Sequence, residues 1–395
     1  MKKQFLDLGK QPIANGFLDK ADIENEFFFN LKVGFDDETN LVSLMNFVEP
    51  EKMFNDTYVY HSSMSQTMRE HFHQAAEIFK KKFNPSSVLE IGSNDGVFIK
   101  NFDKSTTVAV EPCGNFATIT NKQGYKTYSE FWSRELSEKI NLENSKMDLI
   151  YSANCMCHIQ DLDEAFSAVK HVLSPNGVFI FEDPSLARMI YRGSYDQIYD
   201  EHAHIFSILA LDKLLCQHSL EIFKVENLEV HGGSNRVYVK HCDNISLEIH
   251  SSVSKNILFE KRLGLDNFKT YENFASDVAE SRQILVSLLK NLKSEGKKIV
   301  SYGATSKSTT VFNYCGIGPD LIDYIVDTTK DKQGKFSPGV RIPVISPEQG
   351  FDDTVDVAFL GAWNFKKEIL NKEKSFLNSG GKFLTHVPTV SMLES

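Results

Sequence analysis

The chain is expected to be an α/β protein: two doubly wound, mostly parallel sheets in succession, preceded by a small N-terminal module. Three observations predict this. Short apolar runs alternate with helical patterns from residue 87 to about 182. The first of those runs ends in a turn with glycines at Gly92 and Gly96. The same plan of strand, glycine turn and helix restarts at Lys298. A parallel strand pair needs a crossover connection, so strand–helix alternation points to a parallel sheet.

Taken in order, residues 1–70 read as a polar, irregular N-terminal module with aromatic clusters at Phe27–Phe29 and at Tyr58 and Tyr60. A helix is predicted over 71–84, stopped by Asn84-Pro85, because proline disfavours the helical conformation of the residue before it. Strands come next at 87–91, 107–111, 147–152 and 177–182, with a helix over 161–173 ended by Ser174-Pro-Asn-Gly177. Strands 221–230 and 235–241 flank His231-Gly-Gly-Ser234 and read as an antiparallel pair closing the sheet. Residues 71–250 thus form one unit. The proline-free stretch 254–296 carries Leu258, Leu263, Ile284, Leu285, Leu288 and Leu289 on recurring faces and reads as helix. The third unit, 251–395, continues with strands at 298–302, 322–326 (ending in Asp327), 355–360 and 382–386.

Composition narrows the function. The 395 residues are 41% hydrophobic and 24% charged, ordinary for a globular protein. A net charge of −10 argues against a general nucleic-acid or membrane-surface binder, which needs a basic face. No apolar run is long enough for a membrane span, and the N-terminus lacks the apolar core of a signal peptide. The six cysteines, at 113, 155, 157, 216, 242 and 315, form no C-x-x-C pair, so neither a zinc site nor a disulfide framework is suggested. A cytoplasmic monomer is the expectation.

Residues 88–96, Val-Leu-Glu-Ile-Gly-Ser-Asn-Asp-Gly, carry the strongest signal. Glycine lets a ligand approach the backbone, and the amides beyond it favour an anion. A second strand, Thr107-Val-Ala-Val, ends in Glu111, spaced to accept hydrogen bonds from a ribose. The bland alternative is an ordinary βα turn. The E-x-G-x-x-x-G form resembles the S-adenosylmethionine (SAM) loop of class I methyltransferases. That resemblance implies that Glu90, Gly92, Asn94 and Gly96 face the methionine end of SAM, Glu111 its ribose, and Asn154 a further contact.

Further segments together resemble the nucleotide-sugar C-methyltransferases of deoxysugar biosynthesis. They include Leu8-Gly-Lys-Gln-Pro-Ile-Ala-Asn15, Tyr58-Val-Tyr-His-Ser-Ser-Met-Ser65, His158, Tyr195-Asp-Gln-Ile-Tyr-Asp-Glu-His202 and His231-Gly-Gly-Ser-Asn-Arg236. In the C-terminal part they include Tyr302-Gly-Ala-Thr-Ser-Lys307, Asn313-Tyr-Cys-Gly316, Lys332-Gln-Gly-Lys335 and Pro338-Gly339. The resemblance implies a SAM-binding Rossmann-like domain, a second Rossmann-like domain that helps hold a nucleoside diphosphate sugar, and methyl transfer to a carbon beside a keto group. It also implies an N-terminal module with four zinc-binding cysteines. The first pair would precede Met1, and where the second would fall the chain reads Leu31-Lys-Val-Gly-Phe-Asp-Asp-Glu38. The expectation is therefore that no metal is bound and that aromatic packing replaces it. Ser306-Lys-Ser-Thr-Thr310 departs from the family's Lys-Gly-Asn-Thr pattern.

Carbon becomes nucleophilic only after losing a proton, which calls for a base near neutral pKa and a donor to the enolate oxygen. The resemblance makes His202 the base, with Tyr199 and His158 as donors to oxygen and Glu201 holding a sugar hydroxyl. The alternative for Glu201 and His202 is a solvated surface pair. Tyr60 and Ser63 are expected over the substrate. The loop Gly303-Ala-Thr-Ser-Lys-Ser308, with Tyr302, Thr305, Ser306 and Lys307, forms a plausible diphosphate cradle, with Arg236 and Lys335 as further phosphate partners. Competing readings are an O- or N-methyltransferase on a sugar nucleotide, and a non-catalytic sugar-nucleotide-binding relative.

Overall fold

A computed structural model describes residues 1–393 of the chain. The N-terminal part is a sheet: β1 (Lys2–Pro12), β2 (Phe28–Asp36) and β3 (Val42–Leu44), paired antiparallel. This corrects the expectation of an irregular module. The β1–β2 ladder slips register between Gln4 and Leu6 and again between Asp7 and Lys10. Each slip moves side chains to the opposite face, so the alternation that marks a strand is broken in the sequence.

The central sheet uses β4 (Val88–Ile91), β5 (Thr107–Val110), β6 (Lys126–Tyr128), β7 (Met147–Ala153), β8 (Leu173–Pro184), β10 (Leu220–Leu228) and β11 (Ser234–His241). The intervening β9 (His204–Ile205) leaves this sheet and pairs with β3. The strand order is β10-β11-β8-β7-β4-β5-β6, with β11 antiparallel to both neighbours. This is the class I methyltransferase arrangement expected from the loop. β8 starts at Leu173, earlier than the sequence suggested, and absorbs the Ser174–Gly177 stretch.

The C-terminal sheet contains β12 (Ile299–Tyr302), β13 (Ile325–Val326), β14 (Val344–Ile345), β15 (Val357–Leu360), β16 (Lys382–Thr385) and β17 (Ser391–Leu393). Their order is β14-β13-β12-β15-β16-β17, parallel except for β17. Both α/β sheets therefore reverse direction beside their first strand, between β4 and β7 and between β12 and β15. Such a switch point opens a crevice at the carboxyl ends of the strands.

The N-terminal sheet has no separate core. Leu6, Leu31, Val33, Phe35 and Val42 share one cluster with Tyr271, Leu285 and Leu289 of the long helix Phe268–Ser294 and with Phe312 and Phe359 beyond it. Tyr271 stacks on Phe35 at 4.6 Å between ring centroids and lies 5.0 Å from Phe5. Burying a large apolar side chain contributes about 2–3 kcal/mol, and this shared core ties the module to the C-terminal half.

Candidate active site

The two switch points face one cavity of about 650 Å³, lined by loops from all three sheets. At one end, the turn after β4 places Gly92 at φ +76, where an added Cβ would lie 2.6 Å from Cys155 Sγ. Only glycine fits there. Glu111, at the end of β5, receives the Asn94 amide at 2.7 Å and the Cys113 amide at 2.9 Å. Burial pushes its pKa up, and the two amides oppose that rise. Asn154 lines the same end, its amide donating to the Glu182 carbonyl at 2.6 Å. Trp132 and Phe131 complete this wall.

Midway along the cavity runs the turn 194–202, which succeeds the helix Leu186–Arg192. His202 Nδ1 lies 2.6 Å from the Gln197 carbonyl oxygen, and its Nε2 lies 2.8 Å from the Tyr199 hydroxyl. A carbonyl only accepts, so Nδ1 carries the proton and Nε2 holds the lone pair that Tyr199 donates to. Burial, then the neighbouring His158 and Lys307, hold the His202 pKa well below its ordinary value. The ring is neutral. His158 stacks between Phe54, at 5.3 Å, and His202, at 5.4 Å. Burial pushes it down to about 3, and its Nε2 finds no partner among the described residues. Glu201 receives the Asn15 side-chain amide at 2.6 Å and the Tyr58 hydroxyl at 3.0 Å. Glu201 and His202 are 3% and 4% exposed, so they are not a solvated surface pair.

The opposite end repeats the design of the first. Gly303 sits at φ +99, where a Cβ would lie 2.9 Å from Ala362 Cβ. Asp327, after β13, receives the Ala304 amide at 2.6 Å and the Thr329 amide at 2.7 Å. Thr305 caps the helix Ser306–Cys315, accepting from the Ser308 amide at 3.0 Å. Lys307 and Lys332 are both buried on this wall, and desolvation lowers their pKa values. Lys332 donates to the Ala304 carbonyl at 2.7 Å. The Tyr302 hydroxyl donates to Glu373 at 2.6 Å.

Family models match three consecutive stretches: a zinc-binding domain at residues 1–54, a methyltransferase domain at 60–225, and a C-methyltransferase C-terminal domain at 229–388. The C-methyltransferase NovU of Streptomyces niveus is 31% identical over 389 residues, covering 97% of this chain and 92% of NovU. The chain belongs to the C-methyltransferase family. It is a SAM-dependent methyltransferase. Among solved structures, a SAM-dependent methyltransferase from Clostridium acetobutylicum is 17% identical, with a TM-score of 0.34, over 44% of this chain and 91% of its own. The PH0226 protein of Pyrococcus horikoshii is 16% identical, with a TM-score of 0.36, over 50% and 100%. The strand order, not these partial overlaps, carries the fold.

SAM fits the first end of the cavity. Gly92 leaves a cradle that a Cβ would fill, and each Glu111 oxygen keeps a lone pair beyond the one amide it receives. A zinc ion does not fit the methyltransferase's N-terminal module. Residues 1–54 contain no cysteine and no histidine, so the thiolate and imidazole donors of a structural zinc site are missing. Aromatic packing contributes there through Phe17 and Phe35, with Phe5 and Phe35 against Tyr271, but aliphatic side chains make up most of the core. Beside those rings the core there holds Leu6, Leu8, Leu31, Val33, Val42 and Leu44, while Phe27 is 41% exposed. Among the described residues Cys157, His158 and His202 bring donor atoms within 4.8 Å of one another. Burial keeps the Cys157 thiol protonated and both His202 nitrogens are already hydrogen-bonded, so the group is not a metal site.

Of the residues picked from sequence, the cavity brings together Gly92, Asn94, Glu111, Asn154, His158, Tyr199, Glu201, His202, Tyr60, Tyr302, Gly303, Thr305, Ser306 and Lys307. Five others lie elsewhere. Arg236 pairs with Glu182 at 2.6 Å and with Glu226 at 3.1 Å, so its charge is spent inside the sheet. Lys335 points toward Asp19 at 3.8 Å, outside the cavity. Ser63 donates its amide to Asp95 and is not on the wall. Gly96 turns the loop at φ +78 against Thr120. Glu90 is sealed beneath the loop, where it receives the Ile99 amide and burial raises its pKa well above normal. Sequence reading missed Asn15 and Tyr58 as partners of Glu201, and Lys332. The last stands in the Lys332-Gln-Gly-Lys335 run, where only geometry distinguishes the two lysines.

Proposed function

We propose that this enzyme methylates the carbon next to the keto group of a nucleoside-diphosphate keto-deoxysugar, with His202 as the base. The observation that carries the reading is the distribution of charge along one cavity. The three lysines among its described lining residues, Lys307, Lys332 and Lys372, all belong to the C-terminal sheet's side and outnumber the two carboxylates there, Asp327 and Glu368. Glu51, Glu111, Asp161 and Glu164 line the other side, with no lysine or arginine among the described residues there. A diphosphate suits the first and a sulfonium the second. The amides at the start of the helix Ser306–Cys315 add to the anion site.

Gly92, Asn94, Glu111 and Asn154 would hold SAM. When bound, SAM supplies a methyl group on a sulfonium that leaves without needing an acid. His202 Nε2 takes the proton from the carbon beside the keto group, and the bonding pair moves toward the keto oxygen. In this structure the Tyr199 hydroxyl donates to His202 Nε2. A bound substrate would draw it round to the keto oxygen, which frees that lone pair to take the proton. Burial, which holds the Tyr199 pKa well above normal, keeps it protonated as the donor. His158 offers its unpartnered Nε2 to the sugar ring or the keto oxygen. Lys307 is among the groups that depress the His202 pKa. A bound diphosphate neutralises that lysine's field, so substrate raises the basicity of His202 as it arrives.

Incubating the enzyme with methyl-labelled SAM and a panel of nucleoside-diphosphate 4-keto-6-deoxysugars tests the reading. The expected product carries one labelled methyl on carbon next to the keto group. Label on oxygen or nitrogen, or none in any sugar nucleotide, overturns it.

A further inference from the structure

We propose that Asn15, supplied by the N-terminal module, is a positioning residue that holds Glu201 as an oriented, ionised carboxylate in the active-site cavity. Ala14 anchors the segment that carries it. The Ala14 amide donates to Asp200 Oδ1 at 2.9 Å, and its carbonyl accepts from Thr309 Oγ1 at 3.0 Å. The segment after β1 is thereby clamped between the turn 194–202 and the helix Ser306–Cys315. Asn15 has little freedom to move, and its side-chain amide donates to Glu201 Oε1 at 2.6 Å. Tyr58 donates to the other oxygen at 3.0 Å.

Asp200 and Glu201 are neighbouring buried carboxyls, each 3% exposed or less, and their charges repel. In so dry a site the pair favours one negative charge over two. Donors decide where it goes. Burial raises both pKa values, that of Asp200 well above its ordinary range. Glu201 is held back by two donors, Asn15 and Tyr58, and by Lys332 and Lys307, which attract its negative form. Asp200 receives one amide, and its Oδ2 has no partner among the described residues. The remaining groups facing Glu201 are Tyr199 on its own turn, Tyr60 beside Tyr58, and the thiols of Cys113 and Cys157. Burial keeps all four protonated, so they add no competing charge. The proton therefore rests on Asp200 and the charge on Glu201. An ionised Glu201 only accepts hydrogen bonds, so it holds a ligand hydroxyl by that group's own proton. A module without zinc donors is thus still required, because it completes the catalytic turn.

The ionisation of Glu201 does not depend on the sugar-nucleotide reading, while the hydroxyl it would hold does. The test tracks the Glu201 side-chain carbon by NMR in full-length protein labelled at the glutamate carboxyl, the signal being identified by its loss in E201Q. N15L is expected to raise the titration midpoint by about one pH unit, the scale of a lost charge-assisted hydrogen bond. N15D keeps the shape, adds a third carboxyl and should raise it further. If N15L does not fold, N15D decides. The acid limb of the kcat/KM pH profile should move up with the midpoint. A folded N15D with an unmoved midpoint overturns the inference, even if methylated sugar forms. A raised midpoint upholds it, even if no sugar nucleotide is turned over.

Discussion

The two glycine loops of this enzyme are built alike and charged differently. In each, an acid ends the second strand of an α/β sheet and receives two amides, one from the loop and one from the residue two positions beyond itself. Glu111 takes Asn94 and Cys113, and Asp327 takes Ala304 and Thr329. Each loop also has a glycine that a side chain would drive into the segment after the neighbouring strand, Cys155 in one and Ala362 in the other. The difference lies downstream of each loop. After Gly92–Gly96 comes only the short turn Ile99–Asn101, and no lysine or arginine on that side is among the described lining residues. After Gly303 comes the helix Ser306–Cys315, with Lys307 in its first turn and Lys332 beside it. One scaffold used twice carries unlike charge at its two ends, as the proposed sulfonium and anion sites require. On the proposed reading, the loop fixes where a ligand lies and the surrounding charge selects which ligand.

The largest effect should come from His202, which stands where the two ends meet. H202N should lower methyl transfer by about 10³-fold, within the range for a lost general base. SAM affinity by calorimetry should stay within about twofold. If SAM binding is lost as well, the two ends are not separate and the comparison breaks. Next are the charges that distinguish the ends. K307M should raise KM for the sugar nucleotide by about 10- to 100-fold, the scale of hydrogen bonds to a charged group, while leaving SAM affinity alone. E111A should do the reverse, weakening SAM by about tenfold with little change in the KM for sugar. Crossed effects in steady-state kinetics would show that charge does not sort the ligands.

Whether a residue's role could be read in the sequence depended on how far away its partners lie. Gly92, Glu111 and Gly303 were legible because a glycine turn and a strand-ending acid succeed one another at local spacing, whereas Asp327 was read only as a strand end and its hold on the Ala304 and Thr329 amides was not. The turn 194–202 was legible by resemblance, but the tautomer of His202 was not, since it depends on the Gln197 carbonyl. Arg236 misled because its partner is remote: β11 sets it directly opposite Glu182 of β8. Lys335 misled because the chain reverses at Gly334, φ +82, and only Lys332 turns inward. The N-terminal sheet was hidden by its own bulges, and Asn15 by a contact reaching from residue 15 to residue 201.

The smallest predicted effect provides a control. Glu260 also receives two amides, from Ile208 and Leu209 at 2.9 Å, but lies outside the cavity. Burial pushes its pKa up to about 7 from an ordinary 4.5. The folded protein therefore keeps a proton that the unfolded chain gives up. That stabilisation is complete below pH 4.5 and is lost as pH rises through about 7. E260Q should flatten this decline in a series of thermal melts and leave KM for both substrates unchanged. A clamp that affects stability alone would separate what such a clamp does for the fold from what the two loops add for ligands.

The most direct test of the central account is exchange of the sugar's carbon-bound hydrogen in heavy water, with S-adenosylhomocysteine in place of SAM. The wild-type enzyme is predicted to place deuterium on the carbon beside the keto group, and H202N is predicted not to. Methyl transfer by the wild type without any such exchange, or equal exchange by H202N, would contradict it.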